Sequence, residues 1–222
     1  MFIDKYFILE CFKVPSITMI ACFFLEFISW NEEWNKKYKE NINIRKKYFE
    51  AIYVNFSHEF ILGPIFYAAS LAYINQGSKP IHYAISTPLV ILTQNIGYAL
   101  AHSWTHKKEN YWIHKYHHTF NSKTFVRPVV AHTVSTSEFI VSYVSPILLG
   151  IYLFKPDTNG LFISVSSISL LNLVIHTPHN GFDYVFKNKI VLPEFINSSL
   201  ITNTKHFYHH EQNPNKHYSA PL

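Results

Sequence analysis

A chain of 222 residues is long enough for one sizeable domain, and 48% hydrophobic with 17% aromatic against only 15% charged residues leans away from an ordinary soluble protein. The formal charge of +5 forms no basic stripe interleaved with exposed aromatics, so nucleic acid is excluded as the expected partner and a membrane is favoured. The scattered glycines Gly63, Gly77, Gly97, Gly150, Gly160 and Gly181 make no phosphate-cradling loop, and Cys11 and Cys22 give neither a CxxC spacing nor a disulfide framework.

The N-terminal segment reads as retained, because Asp4, Lys5, Glu10 and Lys13 interrupt its apolar run and no small-residue cleavage site follows. Five apolar stretches follow in order, at 8–29, 51–75, 82–101, 137–155 and 160–176. A hydrocarbon core needs roughly 17 to 25 residues to be crossed by a helix. The first stretch carries Glu10, Lys13 and Glu26, the second His58 and Glu59, and the last is short and serine-rich. The expected fold is therefore all-α, a polytopic integral membrane protein with four to five embedded helices. The turn-rich connectors "NQGSKP" and "KPDTNG" predict two helical hairpins. The run "NKKYKENINIRKK" reads as a solvated amphipathic connector at the membrane surface.

Basic residues test this topology. If all five stretches cross, the regions 30–50, 102–136 and 177–222 share one side and hold 15 of the 19 lysines and arginines. Positive charge accumulates on the cytoplasmic side of membrane proteins, so those three regions are expected there.

Histidine is the outlying residue, at 14 of 222. "HSWTH" places His102 and His106 one helical turn apart, "HKYHH" supplies His114, His117 and His118, "HTPHN" supplies His176, His179 and Asn180, and "HFYHH" supplies His206, His209 and His210. Spacings of three and four aim imidazoles from separate helix ends at one point. A catalytic zinc takes about three protein ligands. The three boxes HSWTH, HKYHH and HFYHH alone offer eight histidines, which suits two metals. By ligand type, iron, zinc and copper all fit an all-histidine cluster. The lone His58, His82 and His132 read as hydrogen-bonded helix or loop residues. A histidine-rich metal transporter or a non-redox, zinc-stabilised membrane protein is the competing functional class. Transporter ligands, however, sit inside membrane helices.

The order HxxxH, HxxHH, a lone histidine in an H-x-x-x-[ND] setting, then HxxHH resembles the fatty acid hydroxylase and sterol desaturase superfamily of membrane di-iron oxygenases, over about residues 85–222. The resemblance implies an N-terminal part at 1–80 and a catalytic part at 81–222 with a cytosolic histidine-rich cap. It implies metal ligands at His102, His106, His114, His117, His118, His176, His206, His209 and His210, with His179 and Asn180 as further candidates. Beyond those ligands it names no catalytic residue and no separate cofactor-binding residue. Glu138 in "STSE" matches the glutamate of the family's HPxE-type motif, whose histidine is missing here. The tail "NPNKHYSAPL" stops before the family's usual ending, so that end is expected to be truncated or divergent.

The same resemblance implies two iron ions, a lipid substrate of sterol or fatty-acyl type, and hydroxylation or desaturation of a C–H bond with dioxygen. No flavin or nicotinamide fingerprint is visible, so electrons are expected from a partner, which the resemblance implies is a b-type cytochrome and its reductase, at the endoplasmic reticulum if the source is eukaryotic. Phe120, Tyr143 and Phe162 are candidate lining residues for a lipid tunnel.

Overall fold

The computed structural model describes residues 5–76, 79–121, 124–178, 206, 209 and 210. His179, Asn180 and the tail 211–222 lie outside them. Among the described residues the chain is helical, with a single isolated bridge between Ile81 and Pro156 as its only β-type pairing.

Helix α1 (Lys5–Ile28) is apolar nearly all round, and Pro15 sits inside it, as membrane helices tolerate. Asn31 then opens α2 (Glu32–Glu40) by accepting from the Trp34 amide at 2.8 Å, with Glu32 and Glu33 in its first turn and Lys37 and Lys39 in its last. Both placements complement the helix dipole. Asn41 ends α2 and caps α3 (Ile42–Ser57). Helix α3 runs through a π-helical turn, His58–Leu62, into α4 (Gly63–Ile74).

The second half of the chain holds α5 (Tyr83–Thr105), the short α6 (Tyr111–His114) and α7 (Thr136–Glu138), a second π-helical turn (Phe139–Val144), α8 (Ser145–Phe154) and α9 (Thr158–Ile175). Among the described residues, four helical stretches are long and apolar enough to cross a membrane: Lys5–Ile28, Tyr83–Thr105, Thr136–Phe154 and Thr158–Ile175. The remaining expected stretch, 51–75, is divided by the first π-helical turn. Large apolar side chains such as Ile20, Phe24, Phe27, Ile65, Leu100 and Leu153 face outward, as lipid contact would require.

Helix α5 packs most extensively on α8 and α9, while α1 packs on α9 and α4. The contact between α5 and α8 is close because Gly97 lies directly beneath Pro146. A Cβ added there would come within 2.6 Å of the proline Cβ. Both short connectors meet at one end of the bundle, where Ile81 N–H donates to Lys155 O at 2.9 Å and Asp157 N–H to Ile81 O at 3.1 Å. Asp157 caps two helices there, accepting from Tyr83 N–H of α5 and Gly160 N–H of α9.

The opposite end carries the basic connector and the histidine boxes together. Lys47 Nζ donates to Thr119 Oγ1 at 2.8 Å, Tyr116 OH donates to Glu50 Oε1 at 2.7 Å, and Trp34 and Tyr48 pack on Phe125. The α3–α4 segment therefore runs from the histidine end, at Tyr48, to the far end, where Tyr73 OH donates to Tyr152 O. The charged residues of α1 are also accounted for. Glu26 is buried and accepts from Arg127 Nε at 2.8 Å and from Val129 N–H at 2.9 Å. The Arg127 guanidinium lies over Trp34, and Glu10 pairs with Lys13.

Candidate metal centre

The described histidines of HSWTH, HKYHH and HTPHN arrive from helix ends. His102 lies in the last turn of α5 and His106 caps it, and Thr105 Oγ1 closes that turn on the His102 carbonyl at 2.8 Å. His114 ends α6, and His117 and His118 open the 3-10 turn His117–Thr119. His176 caps the C-terminus of α9.

The nine histidines come together in two groups. His102, His106, His114, His118 and His209 each offer a nitrogen within 4.8 Å of the others, and so do His117, His176, His206 and His210. The groups adjoin, with ring centroids of His118 and His210 at 5.3 Å and of His209 and His210 at 5.8 Å. The i, i+4 pairs 102/106, 114/118 and 206/210 stay together, whereas His117 and His209 cross to the other group. Neighbouring residues on a helical turn diverge by about 100°, so an HxxHH box cannot aim all its rings at one point.

The backs of the rings are held. His176 Nδ1 donates to Asn172 O at 2.8 Å, His210 Nδ1 to Phe120 O at 2.8 Å and His117 Nδ1 to Thr133 O at 3.3 Å. A carbonyl oxygen only accepts, so each Nδ1 carries its ring's proton and each Nε2 is left as a bare lone pair. His114 Nδ1 is held by the Glu138 carboxylate, and Glu138 is fixed in turn by its amide, which donates to Ser135 Oγ at 3.1 Å. Ser135 Oγ donates onward to Ile113 O at 2.6 Å. Backbone carbonyls and carboxylates behind metal-bound histidines set the tautomer in this way.

The fronts then conflict unless a cation lies among them. His206 Nε2 faces His176 Nε2 at 2.8 Å and His210 Nε2 at 3.1 Å, both of them lone pairs, and it can carry at most one hydrogen. Protonation does not resolve this. Burial, reinforced by neighbouring imidazoles, pushes His106 and His117 down to about 4 and His118 to about 2, and holds His114, His176, His206 and His210 well below the usual imidazole range. Neutral, pre-oriented imidazoles without thiolates or carboxylates at the front fit a first-row transition metal in each group.

The lone histidines stand apart from both groups. His82 accepts from the Ala84 amide as the α5 cap, His58 Nδ1 donates to His132 O at 2.9 Å, and His132 Nδ1 lies 2.8 Å from Glu59 Oε1. Of the candidate lining residues, Tyr143 lines a cavity, Phe162 packs in the apolar cluster at the far end, and Phe120 is wholly buried, its carbonyl holding His210. The groups that no motif announces are Asn172, Thr133 and Phe120, since all three act through the backbone. A buried asparagine in an apolar helix is the one signal that points to Asn172, whose side chain also donates to Ala131 O and to Tyr143 OH.

No curated protein and no solved structure matches this chain. The profile of one family, fatty acid hydroxylase, matches residues 87–222, the part that holds all nine histidines. A family match over more than half of its length, with four helices fit to cross a membrane and two histidine groups at one end of the bundle among the described residues, places this chain in the fatty acid hydroxylase family.

Proposed function

We propose that the protein is a membrane-bound non-haem di-iron oxygenase that hydroxylates or desaturates a lipid C–H bond with dioxygen. Electrons would come from outside the chain, from a b-type cytochrome and its reductase. The reading puts it in lipid biosynthesis, at the endoplasmic reticulum if the source is eukaryotic, with the histidine boxes cytosolic. The single observation that carries it is the pair of adjoining histidine groups whose Nε2 lone pairs converge while their Nδ1 atoms are held from behind.

When bound, iron supplies the one-electron and dioxygen chemistry that no side chain of the protein can perform. The protein's own contribution is to hold. Glu138 and the carbonyls of Asn172, Thr133 and Phe120 fix ring orientation before any metal arrives, and burial keeps the rings neutral and able to coordinate. The outward apolar faces of the bundle give a lipid a route to a centre at the helix ends. The cluster of basic residues beside the histidine end suits an acidic electron donor.

Iron in the purified protein by elemental analysis, together with lipid profiling of a host lacking a sterol or acyl oxygenase, tests this. A new oxygenated or desaturated lipid is expected, and it disappears in His117→Ala and His209→Ala. Normal product formation by either variant overturns the proposal. So does stoichiometric zinc with metal flux in vesicles and no dioxygen consumption.

A further inference from the structure

The stretch 125–134 is buried at every residue, yet its one helical turn is the three-residue Pro128–Val130. Buried backbone without a ladder of its own has to find partners elsewhere. Asn55 Nδ2 donates to Val129 O at 3.2 Å, His58 Nδ1 to His132 O at 2.9 Å and Asn172 Nδ2 to Ala131 O at 2.9 Å, while Thr133 Oγ1 donates to Ala51 O at 3.2 Å. One turn before Ala51, Lys47 Nζ donates to Thr119 Oγ1 at 2.8 Å and lies over the Phe120 ring, 4.7 Å from its centroid.

Lys47, Ala51, Asn55 and His58 follow one another at spacings of four, four and three, so they form one face of α3 and of the turn that continues it. That face grips the connection between α6 and α7 at both ends. The gripped connection in turn offers two carbonyls to the histidines, Phe120 O to His210 and Thr133 O to His117. Both rings belong to the four-histidine group. The carboxylate behind the five-histidine group, Glu138, is tied instead to Ser135 and through it to Ile113. The family match begins at residue 87, so all of α3 lies outside it.

We propose that α3 is the splint of the four-histidine group, and that Lys47 and the Ala51–Thr133 tie are its positioning contacts, setting His210 and His117 through the Phe120 and Thr133 carbonyls. Groups behind a ligand fix its orientation, and their loss weakens metal binding without removing a donor. Of the oxygenase reading, this role needs the metal and none of the chemistry.

Cobalt(II) affinity of the full chain in lipid nanodiscs, measured by chelator competition, tests the assignment one group at a time. His102→Ala/His106→Ala/His118→Ala leaves the four-histidine group as the complete one, and His176→Ala/His206→Ala leaves the five-histidine group. Lys47→Met removes the ammonium, and Thr133→Val removes the tie to Ala51 while keeping the carbonyl that holds His117. Each is expected to weaken cobalt binding by about tenfold or more in the first background and by less than about twofold in the second. Lys47→Arg keeps a cation over Phe120 and a donor for Thr119, and is expected to restore affinity to within about twofold. Equal weakening in both backgrounds, or none in the first, overturns the proposal. Should a background not fold, amide hydrogen exchange of the nine-histidine chain decides. Lys47→Met and Thr133→Val are expected to abolish cobalt-dependent protection at 116–121 and 128–134 and to preserve it at 98–114, and equal loss in both regions overturns the proposal. These readouts follow metal and not turnover, so the expected pattern in a protein that forms no lipid product counts against the oxygenase reading alone. An active protein whose two groups respond alike counts against the splint alone.

Discussion

Glu138 shows how far a single side chain can act from behind a ligand. It is wholly buried at the end of α7, its amide is tied to Ser135 and its carboxylate holds the Nδ1 of His114. Glu138→Ala is therefore expected to lower metal affinity about 10–100-fold, read by competition with a chelator. Glu138→Gln is expected to fall between, because its amide oxygen still accepts from Nδ1. Equal affinity in all three proteins would mean that the carboxylate does not position the ring. Arg127 is a different kind of residue, since it serves the fold. It balances Glu26, and its removal leaves a carboxylate buried with Tyr48 OH and the Val129 amide as its remaining donors. Arg127→Ala is expected to cost about 3–5 kcal/mol of stability in detergent-solubilised protein.

The histidines also set a pH dependence at this scale. His106 and His117 stand at about 4 in the folded chain, below the roughly 6.5 of an unfolded imidazole. A depressed folded pKa means that the unfolded state takes up more protons on acidification. The contribution to stability is thus complete above about pH 6.5 and is lost as the pH falls towards about 4. The unfolding temperature of the chelator-treated protein is expected to drop steadily across that window. A flat profile would show that the rings are not buried as neutral groups.

At the scale of elements, apolar stretches were plain from composition because lipid-facing and core-facing positions are both apolar, and four of them coincide with long helical stretches. The π-helical turns inside 51–75 and 137–155 were not plain. Helical periodicity carries no mark of an added residue in one turn, and the first turn left as its trace in the sequence the polar pair His58–Glu59 inside an apolar run. Nor was the packing order legible. Short connectors implied hairpins, but which helices touch depends on surface relief, and Gly97 beneath Pro146 sets α5 against α8. Gly97→Ala is expected to destabilise the protein by about 1–3 kcal/mol, because the rigid proline ring cannot move aside as a flexible side chain would. Comparison of its unfolding midpoint with that of the native chain measures this.

Across the whole molecule, the family and the end of the bundle that gathers histidine could be read from four motifs, since each motif is local and its spacing is helical. The division of labour between the motifs could not. Which ring belongs to which group depends on how α5, α9 and the turn after α6 meet, with Phe120 and Asn172 as backbone contributors. The pairing of Glu26 with Arg127, 101 residues apart, was likewise hidden, although the isolated glutamate in α1 stood out as an anomaly.

The crossing of His117 and His209 between the groups has a thermodynamic consequence. Each HxxHH segment is a strand in a two-part knot, so organising one set of donors drags along a donor of the other. Occupation of the first site should prepay part of the ordering of the second, and the influence must run equally in both directions. Iron(II) titration of the stripped protein is then expected to be sigmoidal, with a Hill coefficient above one. His117→Ala, which removes a nitrogen from the four-histidine group only, is expected to weaken both binding events. Two independent hyperbolic steps, with only one altered in the variant, would show that the knot is not pulled tight.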